Sequence, residues 1–574
     1  MKGIFFLLFS FSSFLLSAQS IAIDKIKLDK KIDSLFQSYN NKNSPGFAIT
    51  VIQNEKMITK KDYGMASLEH SAPFTHNTVV RLPYSEGREF ISIAAVLMEN
   101  DGILNFNDKV RTYFPELPEW SEPVTIRDLL DHRSGLADEW SMIELTQASM
   151  QNRVDVEQFL TLLYRQPKPE VKPGIGFMYS NSDFGLLRLI LEKASEQNLS
   201  RWMEQHLFAP LGMTSTRLHD DKDDVIAGFA PQYYRYGKDG YKTWSSYKTS
   251  PGGNYYIATS VNDLEKWVLA HKNAASFIAK ATASLFQDAQ LMPGSDKNYV
   301  FGYKIKSLGT HEVFTHQGAG NHTYISRTKN PDFTVILLSN SLGEPYPFHE
   351  SVLAYLLNYE KPVFKNKQFN SEKVQYSLEE LRQFTGNFLN ADTVTYESFV
   401  KNRRDEVTFV IHNDSLKLKD NDVLISLEYV SSGVFKDVDY PTYFEFTRSG
   451  NDYKAQAHSH GKNSVITLIR DTSKKWQPSL LQLQSYTGKY YSPHLDFYWT
   501  IELGEDNRLI IKRPTIRDTE LQPDTNREFK FNIENYSDTS FPAWLKFYAD
   551  ASGRVTHFMV HHARLMGHKF DKVR

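Results

Sequence analysis

The chain has 574 residues, 41% of them hydrophobic and 23% charged, with a formal net charge of −2. That length exceeds one ordinary core and predicts about two to four domains, while the near-neutral charge, with no long run of one sign, argues against nucleic acid or an anionic membrane surface as partner. Cysteine is absent, which excludes disulfides, thiolate metal sites and a lipid-modified N-terminal cysteine in any compartment.

Lys2 precedes "GIFFLLFSFSSFLLSAQS", a basic start, an apolar stretch and then small residues, which reads as a signal peptide over residues 1–19 and predicts a periplasmic or extracellular protein. The stretch is short for a membrane span and no later one is apolar enough, so the mature chain is expected to lack a span. "DKIKLDKKIDSLFQSYN" predicts an amphipathic helix with Ile26, Ile32, Leu35 and Phe36 on its apolar face. In "PGFAITVIQNEKMITKKDYG", two β-rich runs flank Asn54-Glu55 and predict a hairpin. "FISIAAVLMENDGIL" is apolar on nearly every side, as a buried helix is. "SDFGLLRLILEKASEQ" reads as amphipathic, with Ser182 as its cap and Phe184, Leu187, Leu191 and Ala194 on one face. Near residue 300 the pattern turns to strand: "HEVFTHQGAGNHTYISR" and "DFTVILLSNS" are separated by the turn Lys329–Asp332. Strands at both ends with helices between predict one α+β domain over 20–362, its sheet joining the first and last segments.

The remainder repeats. "LRQFTGNF" at 381–388 returns 102 residues later as "LQSYTGKY" at 483–490, and short strands broken by turns follow each copy. Two small antiparallel β domains over 373–471 and 476–574 are expected, barrel-like because closure removes exposed edges. A cell-wall or glycan ligand is a possible partner class for them.

Three stretches carry chemistry: Ser85-Glu86-Gly87-Arg88 ahead of the buried helix, Tyr179-Ser180-Asn181 ahead of the second helix, and His316-Gln317-Gly318 ending a β run. With "PGFAITVI", "VTIRDLLDHRSGL", "LFAPLGMTST" and "SPGGNYYIATSVNDLEKW", they make residues 40–345 resemble the serine β-lactamase and penicillin-binding-protein superfamily, particularly its class C-like hydrolases and D-stereospecific peptidases. The resemblance implies a β-lactamase/transpeptidase-like fold with an antiparallel sheet. It implies Ser85 as nucleophile, Tyr179 as proton carrier, and Asn181, His316 and Gly318 as substrate-binding residues, with an oxyanion hole from the amides of Ser85 and of Ala319 or Gly320. It implies small peptide, amide or ester substrates, and neither cofactor nor metal. Counting back from Phe90 places the nucleophile on Ser85 and not on Tyr84. The family's lysine falls on Arg88, which departs from the pattern.

Guanidinium offers donors and no acceptor, so Arg88 cannot take a proton from Ser85. As a fixed charge about 4 Å from a phenol, at an effective dielectric near ~20, it interacts by ~4 kcal/mol, enough as a ceiling to bring Tyr179 into range as the base. Two readings follow: an exported serine hydrolase working through Ser85, Tyr179 and Arg88, or a catalytically impaired binding protein in which Arg88 neutralises Glu86 or Glu89. Histidines 557, 561 and 562, and the pair 458 and 460, read as polar strand faces, since neither carboxylate nor cysteine stands at ligand spacing.

Overall fold

A computed structural model describes residues 23–573 apart from 83–86, 147–154, 220–223, 237–239, 244–255, 283–289, 292–297, 318–322, 343–345, 360–375, 391–405, 421–422, 438–441, 451, 460–464, 472–475, 514–515, 525–526 and 535–539. The leader expected over residues 1–19 lies outside the described residues. Among the described residues, no helix is long and apolar enough to cross a membrane.

Helix α1 (Lys25–Phe36) is capped by Asp24 and buries Leu28, Ile32 and Phe36. This i, i+4 row replaces part of the expected face: Ile26 is 68% exposed, because it falls on the opposite side of the turn. The hairpin forms as predicted, β1 (Phe47–Gln53) pairing with β2 (Lys56–Tyr63). Asn54 and Glu55 take the two positive-φ positions of its tight turn.

Later strands complete the sheet: β3 (Gln290–Leu291), β4 (Asn298–Val300), β5 (Tyr303–Leu308), β6 (His311–Gln317), β7 (Thr323–Thr328) and β8 (Phe333–Ser339), in the order β3-β4-β5-β6-β7-β8-β1-β2. The "HEVFTHQGAGNHTYISR" run is therefore two antiparallel strands, not one. β1 lies against β8 from Phe47 opposite Ser339 to Gln53 opposite Phe333, closing the first segment onto the last as expected. Both strands are apolar on both sides because both faces are covered. Phe47, Ile49, Val51, Val335 and Leu337 pack with α1 and the helix Tyr346–Leu356, while Ala48, Ile52, Ile336 and Leu338 enter the larger core behind.

That core is built on α2 (Arg88–Asn100), buried from Arg88 to Val96, and on α3 (Asn181–Ser195), buried from Asn181 to Leu191. The expected cap of α3 is corrected. Ser180 holds the N-cap position without a side-chain cap bond, and Ser182 sits inside the first turn with its hydroxyl donating to the Ala137 carbonyl at 2.6 Å. The helix is also less amphipathic than its sequence implied, since a loop and a second helix cover the polar side of its first turns.

Two closed eight-stranded antiparallel barrels follow, one from Gly386–Asn390 to Val465–Arg470 and the other from Gly488–Ser492 to Leu565–Lys572. The repeat is visible in three dimensions: in each copy a serine-capped helix, at Ser377 or Ser479, leads into the first strand. Phe388, Phe409, Phe444 and Phe446 cluster in the first barrel, and Trp499, Phe531, Phe558 and Phe570 in the second, so side chains fill the interiors.

The second barrel shares a continuous apolar core with the first domain. Across this boundary Trp499 Nε1 donates to the Leu145 carbonyl at 3.1 Å, His494 Nε2 meets the Leu162 carbonyl at 2.9 Å, and Arg165 pairs with Asp496 at 2.8 Å. His494 stacks on His568 with ring centroids 4.5 Å apart. Burial pulls His494 down to about 4 and His568 well below its ordinary value, while burial pushes the neighbouring Glu170 up to about 7. A histidine depressed in the folded chain contributes stability that is lost as pH falls from about 6.5 toward its folded value; Glu170 acts in the opposite sense. Between pH 7 and pH 4 the native protein is expected to lose about 3 kcal/mol more stability than a His494→Gln variant, a difference in which the Glu170 contribution cancels. Denaturant unfolding of both proteins across that range checks it; parallel profiles would contradict the assignment.

Candidate active site

The first-motif segment enters α2 through Gly87, which takes helical backbone angles and offers no capping side chain. Ser85 and Glu86 lie outside the described residues. Arg88, the first helical residue, is 1% exposed. Gly302, between β4 and β5, has φ +87°, and a Cβ there would stand 3.1 Å from Arg88 Cβ. The missing side chain lets the turn between β4 and β5 press on the start of α2.

The second motif is held by the loop after the short helix Ile126–Leu130. Met178 N–H donates to the His132 carbonyl at 2.9 Å. Asn181 donates twice to Asp138 Oδ2, from its backbone and its side-chain nitrogen, both at 2.8 Å. The Ser134 hydroxyl donates to Asp183 Oδ1 in a short contact, and Asp183 Oδ2 lies 2.7 Å from His132 Nδ1. Gly135 permits this fold-back: it has φ +80°, and a Cβ would meet the Val171 carbonyl oxygen at 2.6 Å.

Both segments converge on the Arg88 guanidinium. Nη2 donates to Asn181 Oδ1 at 2.6 Å, and Nη1 lies 3.3 Å from His132 Nε2. Its carbon stands 4.3 Å from the Tyr179 ring centroid and 4.8 Å from that of Phe184. A guanidinium only donates, so His132 Nε2 acts as acceptor and the ring proton lies on Nδ1, facing Asp183. Burial first, then the charges of Arg88, Arg564 and Lys304, pull His132 well below its ordinary value, so the imidazole is neutral at pH 7. Burial raises Asp183 well above the carboxylate range, with Ser134 and Arg88 pulling the other way. Tyr299, 3.1 Å from His132 Nε2, is likewise driven upward by burial and remains a phenol. At Asp138 burial also opposes the charge, but Arg564 and the donors on Asn181 and Ser141 outweigh it and hold the carboxyl below its ordinary value.

Of the residues singled out in the sequence, Arg88, Tyr179 and Asn181 are thus brought together. His316 lies on β6 opposite Ile325, while Gly318, Ala319 and Gly320 fall outside the described residues. The counter-charge for Glu89 is corrected: it is Arg327, whose Nη2 donates to Glu89 Oε1 at 2.8 Å, joined by Trp267 Nε1 at 2.6 Å. Glu89 points to the other side of α2, away from the cluster around Arg88. Sequence reasoning missed His132, Asp138, Asp183, Tyr299 and Arg564. The first three were within reach, being polar residues inside or next to quoted motif segments with no surface role implied; Arg564 had no local signal.

The family model described as Beta-lactamase matches residues 32–357, more than half of the sequence. The chain belongs to that family. Penicillin-binding protein 4* of Bacillus subtilis is 26% identical over 342 residues, covering 56% of this chain and 74% of that protein. A D-aminopeptidase of Cereibacter sphaeroides is 24% identical over 360 residues, covering 60% of this chain and 65% of that protein. Among solved structures, an octameric penicillin-binding protein homologue from Pyrococcus abyssi superposes with a TM-score of 0.52 at 19% identity, over 78% of this chain and all of that one. This last likeness is one of fold. The Beta-lactamase family match and the architecture therefore agree with the resemblance read from the motifs.

Within this Beta-lactamase-family domain, Glu89 fixes the phase of α2 and hence the direction of Arg88. Glu89→Gln leaves the partly buried Arg327 without this counter-charge and is expected to cost about 3 kcal/mol in denaturant unfolding. A loss below about 1 kcal/mol would mean that other contacts set the helix.

Proposed function

We propose that this chain is an exported serine hydrolase that acts through an acyl-enzyme on small amides, peptides or esters, in the manner of a D-aminopeptidase or esterase. Ser85 attacks the carbonyl carbon as its proton passes to Tyr179, Tyr179 passes that proton on to the departing amine or alcohol, and water then hydrolyses the acyl group from Ser85. The observation that carries the reading is the convergence of Arg88, Tyr179 and Asn181, on two separate helix starts, into one buried cluster three residues beyond Ser85. Arg88 supplies a permanent charge beside the reacting groups and keeps the Asn181 carbonyl turned toward α2, leaving proton transfer to Tyr179. The D-aminopeptidase relative supports the substrate class, and His316 in place of a lysine favours neutral groups over carboxylates beside that strand.

The second reading, a binding protein for peptidoglycan-like fragments, is favoured by one observation. Arg88 is tied by hydrogen bonds to both Asn181 and His132, a fixed arrangement in which no group on α2 gives up a proton.

Fluorophosphonate and penicillin probes separate the readings. Under the hydrolase reading the folded protein carries a probe adduct that mass spectrometry maps to Ser85, and Ser85→Ala abolishes it. Ligand binding without any adduct would favour the receptor. Arg88→Lys is expected to raise the labelling rate at least tenfold, because lysine can lose its charge and share the proton transfer. An unchanged rate would show that the missing base is not what limits the site.

A further inference from the structure

The turn between the last two strands of the second barrel, Val555–His562 and Leu565–Lys572, reaches into the first domain and places Arg564 at its tip. Arg564 Nη1 donates to Asp138 Oδ2 at 3.1 Å. That same oxygen accepts both nitrogens of Asn181. The other oxygen, Oδ1, accepts the Ser141 backbone N–H at 3.0 Å and its hydroxyl at 2.9 Å, and the backbone N–H of Arg564 reaches that hydroxyl at 3.4 Å. The barrel turn is therefore bonded directly to one oxygen of the carboxylate and, through the Ser141 hydroxyl, indirectly to the other. Arg564 also stands over the Tyr179 ring, 4.7 Å from its centroid.

Asp138 is fully buried. A carboxylate in that position without a counter-charge is costly, and either takes a proton or pulls its surroundings apart. Protonation would turn one acceptor oxygen into a donor and displace a hydrogen bond to Asn181. The Asn181 carbonyl faces Arg88 Nη2 at 2.6 Å, so any rotation of that amide reaches the start of α2. Arg564, Asp138, Asn181 and Arg88 form a chain of alternating donors and acceptors from the barrel to the nucleophile's helix. Neighbouring contacts hold the turn in register: His562 Nε2 lies 2.7 Å from Glu144 Oε2, and Met566 N–H donates to Glu170 Oε2 at 3.0 Å.

We infer that Arg564 is a positioning residue of the hydrolase site, clamping Asp138 so that Asn181 and Arg88 keep their geometry, and that the second barrel thereby completes the active site. The inference rests on the hydrolase reading above for its kinetic consequences, though not for its structural ones.

The test uses the full chain with D-alanine p-nitroanilide as substrate and a fluorophosphonate as label. Arg564→Met is expected to lower kcat at least tenfold while KM changes less than threefold, and Arg564→Lys to recover a substantial part of the loss. The double variant Asp138→Asn with Arg564→Met is expected to be no worse than Arg564→Met alone, since both break one chain. Asp496→Asn, which removes the Arg165 pair elsewhere at the same boundary, is expected to keep native kcat. Native kcat in Arg564→Met, an effect confined to KM, additive losses, or an equal loss in Asp496→Asn would each overturn the inference. Backbone hydrogen exchange over residues 177–183 decides the matter without any turnover. Arg564→Met is expected to accelerate it at least tenfold and Asp496→Asn to leave it unchanged. A native protein that no probe labels would defeat the hydrolase reading alone, and the exchange result would still stand for or against the clamp.

Discussion

A guanidinium withdrawn from water must find acceptors, and it cannot escape by losing its proton. Arg88 is nearly fully buried, and much of the first domain's architecture can be understood as the solution to that constraint. The amide of Asn181 turns its oxygen toward it, His132 offers an unprotonated ring nitrogen, and two aromatic faces cover the remainder. Each partner then needs support of its own. Asn181, having given its oxygen, points its nitrogen at Asp138; His132, having given one nitrogen, directs the other to Asp183; Asp183 is steadied by Ser134. The pattern of donors and acceptors spreads outward from one permanent charge, and every step is buried.

This explains why the loop from Asp131 to Asp138 looks unlike a surface connection. His132 adopts a positive φ, Gly135 passes close to the Val171 carbonyl, and two aspartates bracket the loop's ends. Such a loop is stable only because α3 closes over it, and α3 begins where it does because the loop supplies partners for its first turn. The two segments are far apart in the chain but form one structural unit. On the other side of α2, Glu89 and Arg327 form a separate ion pair that ties the helix to the sheet. Adjacent residues on one helix thus serve two different charge networks, Glu89 with Arg327 on one side and Arg88 with Asn181 and His132 on the other.

The sequence made the architecture readable where its periodicity was strong. The tight turn at Asn54-Glu55, the buried run after Phe90, the return of the last strand to the first and the repeated Thr-Gly of the two barrels all appear as local patterns. Capping was less legible. Ser182 had the right residue type for a cap, but the helix starts two residues earlier than that cap would place it and the hydroxyl serves the Ala137 carbonyl instead. Ile26 misled for a similar reason, since apolar content alone does not fix which side of a polar-rich helix meets the sheet. In the site, Tyr179 and Asn181 could be found because they share a motif, whereas Arg564 could not. No pattern in a chain announces that a turn 426 residues away will neutralise a buried aspartate, because that contact is created by docking alone.

Inside the barrels aromatic rings pack on one another, Phe409 against Phe444 and Phe446 in the first and Trp499 against Phe558 and Phe570 in the second. A solid peg of this kind can be remodelled at its rims without disturbing its centre. Changes of a residue or two in a connecting turn would alter what the peg presents to its neighbour while the stacked rings go on fixing its shape. In such an arrangement the reach of a single guanidinium becomes a trait that can drift independently of the domain it touches.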